Sequence, residues 1–142
     1  MTLHLIKLCA GASGVDELRA RIDRSVARNR KTRGQAVHTH ETRMFPRRRD
    51  ELLNGGSIYW VIKGVVLTRQ AIIDIEAFCD ESGVDRCAIL LDPTLTPTEA
   101  QPRRAFQGWR YLEAADAPRD LRSGEASAPP ALRAKLAELG LL

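Results

Sequence analysis

Two histidines, His38 and His40, stand two residues apart in a stretch that alternates like a β-strand, so their rings project from one side. Such a pair can share a metal ion when further ligands join it, and Cys79, Cys87 and Asp92 are the residue types that would complete the set. A spacing of two does not by itself define a metal centre. No CxxC and no His-Glu-x-x-His accompanies it, so the chain is expected to fold without metal or cofactor. Asp74, Glu76 and Asp92 supply carboxylates for acid–base work, but a solvated or turn role suits each better. A Gly-rich phosphate loop followed by Lys-Ser/Thr is missing, as is a nucleophile elbow. Catalytic residues therefore stay unassigned, and the sequence does not decide whether the protein is an enzyme.

Cations carry the stronger signal. The net charge is +4 over 142 residues, but residues 1–70 hold 14 Lys and Arg against 6 Asp and Glu, whereas residues 71–142 hold 8 against 12. Such a split presents a basic side to an anionic partner. A helical reading from Ser13 puts Arg21, Arg24, Arg28 and Lys31 on one ridge, opposite the apolar stripe Val15, Leu18, Ile22 and Val26. Arg43, Arg103 and Arg104 add further candidate phosphate contacts. Arg47, Arg48 and Arg49 follow Pro46 in the first turn of a short expected helix, where cations oppose the helix dipole by a few tenths of ~1 kcal/mol each. An anionic partner would compensate that placement; so would Asp50, Glu51 or acidic groups elsewhere. Tyr59 beside Lys63 and Trp109 beside Arg110 are the residues expected to line a base-stacking site. Eighteen of the 22 basic residues are Arg, and a merely solvated face is the plain alternative.

These side chains need elements to hold them. Leu3, Leu5, Ile6 and Leu8 predict a buried strand ending at Ala-Gly-Ala-Ser-Gly, and Ser13 is the expected N-cap of the helix that follows, with Asp16 and Glu17 in its first turn. Residues 37–44 read as a strand. Pro46 to Leu53 reads as a short helix closed by Gly55 and Gly56. Residues 57–67 read as one long strand, bent at Gly64, with Trp60 facing the core. Residues 69–78 and 86–91 form a hairpin around Gly83, residues 93–102 an extended proline-rich loop, and residues 106–112 a closing strand. Cys9, Cys79 and Cys87 are odd in number and are expected as reduced core residues of a cytoplasmic protein. No secretory segment is expected, and no apolar run reaches the roughly 20 residues of a membrane span. The fold class is therefore α+β with a mainly antiparallel sheet, as one domain over residues 1–121. Residues 122–142 are expected to form a linker and a short amphipathic helix striped by Leu132, Leu136 and Leu139.

The strings HTHETRMFPRRRDELLNGGSIYWVIKG, RQAI, LLDPTLTPTE and PRRAFQGWRYLEAADAP resemble an uncharacterised family of small bacterial proteins, a domain of unknown function, across residues 3–121. That resemblance implies no activity. Residues 37–91, in the order strand, short helix ending in Gly, long strand, also resemble the PUA-like superfamily with its ASCH and EVE members. The resemblance implies a small pseudo-barrel with two or three flanking helices and, by analogy, binding of RNA or a modified base. The charged Gly-x-Lys-x-x-Glu-x-Arg motif of ASCH domains is replaced, counting from Gly55, by Ser57, Trp60 and Ile62, so the roles of those charged residues do not transfer.

RNA or another nucleic acid is thus the expected partner, and no membrane is. An enzyme acting on a small anionic or nucleotide substrate is the first alternative, and an interaction module using the leucine-striped tail is the second; oligomeric state is open. The Ser, Ala and Pro linker predicts that deleting residues 124–142 leaves the melting temperature unchanged. A fall of many degrees in a thermal melt of the truncated protein would show the tail to be part of the core.

Overall fold

The computed structural model describes residues 2–104 and 106–121, so the expected linker and terminal helix lie outside the described residues. Strand β1 (Leu3–Leu8) leads through the glycine loop into helix α1 (Val15–Thr32), followed by β2 (His38–Thr42) and a single helical turn, α2 (Arg49–Leu52). Strands β3 (Ser57–Ile62), β4 (Val65–Cys79), β5 (Asp85–Leu91), β6 (Thr96–Pro102) and β7 (Trp109–Glu113) complete one seven-stranded sheet. The order is β2-β5-β4-β3-β1-β7, with β6 on β4. Every pairing is antiparallel except that of β1 with β3. The protein is a small α+β fold. Among the described residues no helix is long and apolar enough to cross a membrane.

Strand β4 organises the sheet. Its first half pairs with β3 on one edge, while β6 and then β5 occupy the other. Register shifts at Leu67 and Ile73 mark bulges, which bend a strand and increase its twist. The result is a pronounced curl. Strands β2 and β3 stand three places apart, roughly 14 Å in a flat sheet, yet the rings of His40 and Trp60 meet edge-on with centroids 5.2 Å apart. The curl stays open. No ladder joins β2 to β7, and the gap is crossed by single contacts, Trp109 Nε1–H to the Met44 carbonyl at 3.0 Å and the Arg48 N–H to the Tyr111 hydroxyl at 3.1 Å.

The concave face holds the main core: Leu3 and Leu5 of β1, Ile58, Trp60 and Ile62 of β3, Ile72 and Ile75 of β4, Ile89 and Leu91 of β5, closed by Leu18 and Ile22 of α1. Each buried aliphatic side chain contributes about 1.5–3 kcal/mol. A smaller cluster of Ile6, Tyr59, Val61, Val66 and Leu112 covers the convex face.

Several local expectations are corrected. The run 57–67 is two strands rather than one, because Lys63 (φ 50°) and Gly64 (φ 79°) both take left-handed backbone and close a tight hairpin. The segment 93–102 is not all loop: β6 forms despite Pro97 and Pro102, pairing with β4 on one side and meeting residues 119–121 on the other, where Pro97 serves through its carbonyl, which accepts the Leu121 N–H at 3.0 Å. Helix α1 is capped at Gly14, not Ser13, whose hydroxyl instead donates to Glu17. Its buried stripe includes Ser25 and Asn29 where only apolar residues were expected. Asn29 Nδ2–H donates to the Val37 carbonyl at 2.7 Å, and the Ser25 hydroxyl accepts the Thr39 N–H at 3.1 Å, so both serve the outer edge of β2. Cys9 and Cys87 are buried as expected, but Cys79 is exposed at the end of β4.

Gly56 shows how tightly β1, α2 and β3 are joined. A Cβ there would fall inside contact distance of the backbone carbonyl oxygens of both Leu52 and Leu3. Gly56→Ala is expected to destabilise the protein by about 3 kcal/mol or more in urea unfolding, at the upper end of overpacking costs. Gly14→Ala, which meets nothing within 4 Å, is the matched control. Equal unfolding midpoints for the two variants would contradict this packing.

Candidate nucleic-acid interface and concave site

The arginines separate into two groups. Arg48 is held by Glu51 and, at 3.4 Å, by Glu113, with its guanidinium over the Tyr111 ring. Arg49 donates to the Ile75 carbonyl at 2.9 Å and to Asp74 at 2.6 Å, bracing β4 beside its Ile73 bulge. Arg103 is spent on Gln101 and the Asp116 carbonyl. Acidic and carbonyl neighbours thus supply the compensation that the consecutive arginines require. Arg24, Arg28, Arg43, Arg47 and Arg104 are exposed and have no carboxylate within ion-pair distance among the described residues, and the same holds for Lys63 in the β3–β4 turn. Arg43 also lines a cleft of about 390 Å³ with Phe45, Phe78 and Arg86.

The four expected stacking residues are not gathered. Tyr59 is only 4% exposed and packs in the convex cluster, whereas Trp109 belongs to the concave core. Arg110 lies over the Phe106 ring at 5.0 Å. Arg110 and Tyr59 share a row, both opposite Ile6 of β1, but Lys63 is at the hairpin tip.

What the fold does bring together is a polar group on the concave face that the sequence reading did not assemble. Lys7 of β1 stands opposite Trp60 on one side and Trp109 on the other, in the parity of Leu3 and Leu5. It is partly buried, and desolvation lowers its pKa. Arg21, also partly buried, turns in from α1, with Nη1 3.8 Å from the Cys9 sulfur. His40 completes the group: its Nε2 is buried and has no hydrogen-bond partner. The available signal was Lys7 itself, a cation at a core-facing position of an otherwise apolar strand.

His38 and His40 take different neighbours, Gln70 for the one and the Trp60 ring for the other. The amide oxygen of Gln70 accepts from Trp60 Nε1 at 2.8 Å, so His38 Nδ1, 3.2 Å from that same oxygen, is the protonated nitrogen. No three His, Cys, Asp or Glu side chains converge as a metal site among the described residues. Burial pushes His38 down to about 4, partly offset by Gln70, and His40 to about 3, reinforced by Lys7, His38 and Arg21. On the convex side, His4, Tyr59, Arg69 and Asp120 line an open cleft of about 450 Å³. There the Ser57 N–H donates to His4 Nδ1 at 3.0 Å, which leaves the ring proton on Nε2, and Arg69 is spent on Asp120 and the Ser57 hydroxyl.

A family model described as protein of unknown function (DUF1489) matches residues 5–142. No curated protein and no solved structure matches the chain.

Both buried histidines have folded pKa values below the ordinary 6.5, so the unfolded chain binds more protons as the pH falls. Their contribution is present in full above pH 6.5 and is lost progressively toward pH 4 and below. His40→Leu is expected to flatten the acid-side decline of the melting temperature across that window. Superimposable decline in the variant and the parent would show that His40 is not held neutral.

Proposed function

The chain belongs to the family of proteins of unknown function DUF1489, and we propose that it binds RNA or another nucleic acid, with unneutralised cations of α1 and the β2–α2 connection holding the phosphates. The observation that carries this reading is the division among the arginines. Arg48, Arg49 and Arg103 are consumed within the fold, while Arg24, Arg28 and Arg47 stay exposed without a carboxylate among the described residues. Exposed cations of this kind exchange condensed counterions for phosphate, which is the main source of sequence-independent affinity. Arg43, Arg104 and Lys63 extend the same supply. The open, curled, mostly antiparallel sheet and the order of β2, a helical turn, glycine and β3 support the PUA-like resemblance, which by analogy favours RNA or a modified base. Three free cysteines suit a cytoplasmic setting.

A second reading, action on a small anionic or nucleotide substrate, is favoured by the concave group of Lys7, Arg21 and His40.

The first reading is tested by fluorescence anisotropy of a labelled single-stranded RNA across a salt series. Arg24→Glu with Arg28→Glu should weaken binding by about tenfold or more, and lower the salt slope by ~1.4, at about 0.7 per lost contact. Arg48→Glu, which breaks ion pairs inside the fold, should lower the melting temperature with a smaller effect on the slope. Unchanged affinity and slope in the α1 double variant would remove the ridge from the interface.

A further inference from the structure

The concave group raises a question of charge and hydrogen bonding. Removing a polar atom from water without a partner costs about 1–3 kcal/mol, and His40 Nε2 is such an atom. Beside it stand two partly buried cations. Lys7 has no ion-pair or hydrogen-bond partner among the described residues, and the hydrogen bond of Arg21 is the weak one to the Cys9 sulfur. Lys7 and Arg21 both act electrostatically on His40 and on Cys9, so the four groups converge on one region from β1, α1 and β2. Glu17 is also within reach of Arg21 and Cys9, but it is exposed and accepts from the Ser13 hydroxyl at the start of α1. A fold maintaining only its own stability would place an apolar residue at position 7, between two buried indoles, and would pair or remove a buried imidazole nitrogen.

We propose that this face holds the phosphate of a phosphomonoester between Lys7 and Arg21, beside His40. The two cations match the charge of a dianionic terminal phosphate better than that of a strand's singly charged phosphodiester. His40, whose Nε2 is enclosed, lies behind the two cations as a neutral neighbour and adds no charge to the site. Such a phosphate has two sources: a free mononucleotide, or the 5′ end of a strand. The second source rests on the nucleic-acid reading above, whereas the first does not.

Trp60 and Trp109 are the two tryptophans of the chain, and both flank Lys7, so intrinsic fluorescence reports on this place directly. The full chain is titrated with inorganic phosphate, uridine 5′-monophosphate, uridine, and one short RNA with either a 5′-phosphate or a 5′-hydroxyl. Saturable change is expected with phosphate and with the monophosphate but not with uridine, together with a rise in melting temperature by mass action. Lys7→Met and Arg21→Gln should each weaken monophosphate binding about tenfold or more, while Arg30→Gln, at an exposed position of α1, leaves it unchanged. Because Lys7→Met changes the packing between the two indoles, Arg21→Gln on α1 serves as the independent variant. No saturable response of the parent protein, an equal response to uridine, or binding that survives both substitutions would overturn the proposal. Preference for the 5′-phosphorylated RNA joins the site to nucleic-acid binding. Binding of the mononucleotide with neither RNA bound supports the site and removes the nucleic-acid reading.

Discussion

A single buried amide ties the sheet together. Gln70 is fully buried in β4, and its side chain reaches three other segments: Trp60 of β3 donates to its oxygen, His38 of β2 meets the same oxygen, and its Nε2 donates to the Asp92 carbonyl at 2.9 Å. In a flat sheet β2 and β3 would be too far apart to share one acceptor. The shared oxygen therefore requires the curl, and the bulges of β4 permit it. Once the sheet curls, apolar side chains from β1 to β5 face one another across the concave side and α1 closes over them. A network of this kind is costly if half satisfied, and here the amide has partners for both of its polar atoms.

The curl also decides which side chains can act together. Lys7, His40 and Arg21 lie on separate elements and are far apart in sequence, yet they converge because β2 folds back over β1 and β3. The arginines that looked most conspicuous as a sequence, Arg48 and Arg49, are instead paired with Glu113 and with the backbone of β4. Charge density along the chain is thus a poor guide to charge available at the surface. Long-range pairing removes part of it.

Much of the architecture was legible because its signals are local. Alternation marked β1, β2 and β3, the three-and-four spacing placed α1, and Asp80 to Val84 with Gly83 read correctly as a hairpin turn. The misreadings were in part local, at turns and caps, and in part the work of a partner distant in sequence. Lys63 takes left-handed backbone, which local preference disfavours for lysine, because β3 and β4 demand a tight turn. Pro97 enters a strand because its carbonyl, not an N–H, is what the segment at residues 119–121 uses. Trp109 looked free to stack, but it is buried because the Met44 carbonyl and the row beside Lys7 accept it. The candidate phosphate contacts of Arg24 and Arg28 follow from helix periodicity and remain on the surface, whereas the concave group depends on sheet curvature, which no short stretch encodes.

The polar pair Ser25 and Asn29 has a consequence beyond the packing of α1. Strand β2 ends the sheet, and the outward N–H of Thr39 and C=O of Val37 are the kind of groups to which a strand from another molecule would add. Helix α1 occupies those two positions with side chains of its own, so the start of this edge is covered from within the chain. Two residues that weaken the apolar stripe of a helix thereby occupy groups that a strand of another molecule would otherwise take.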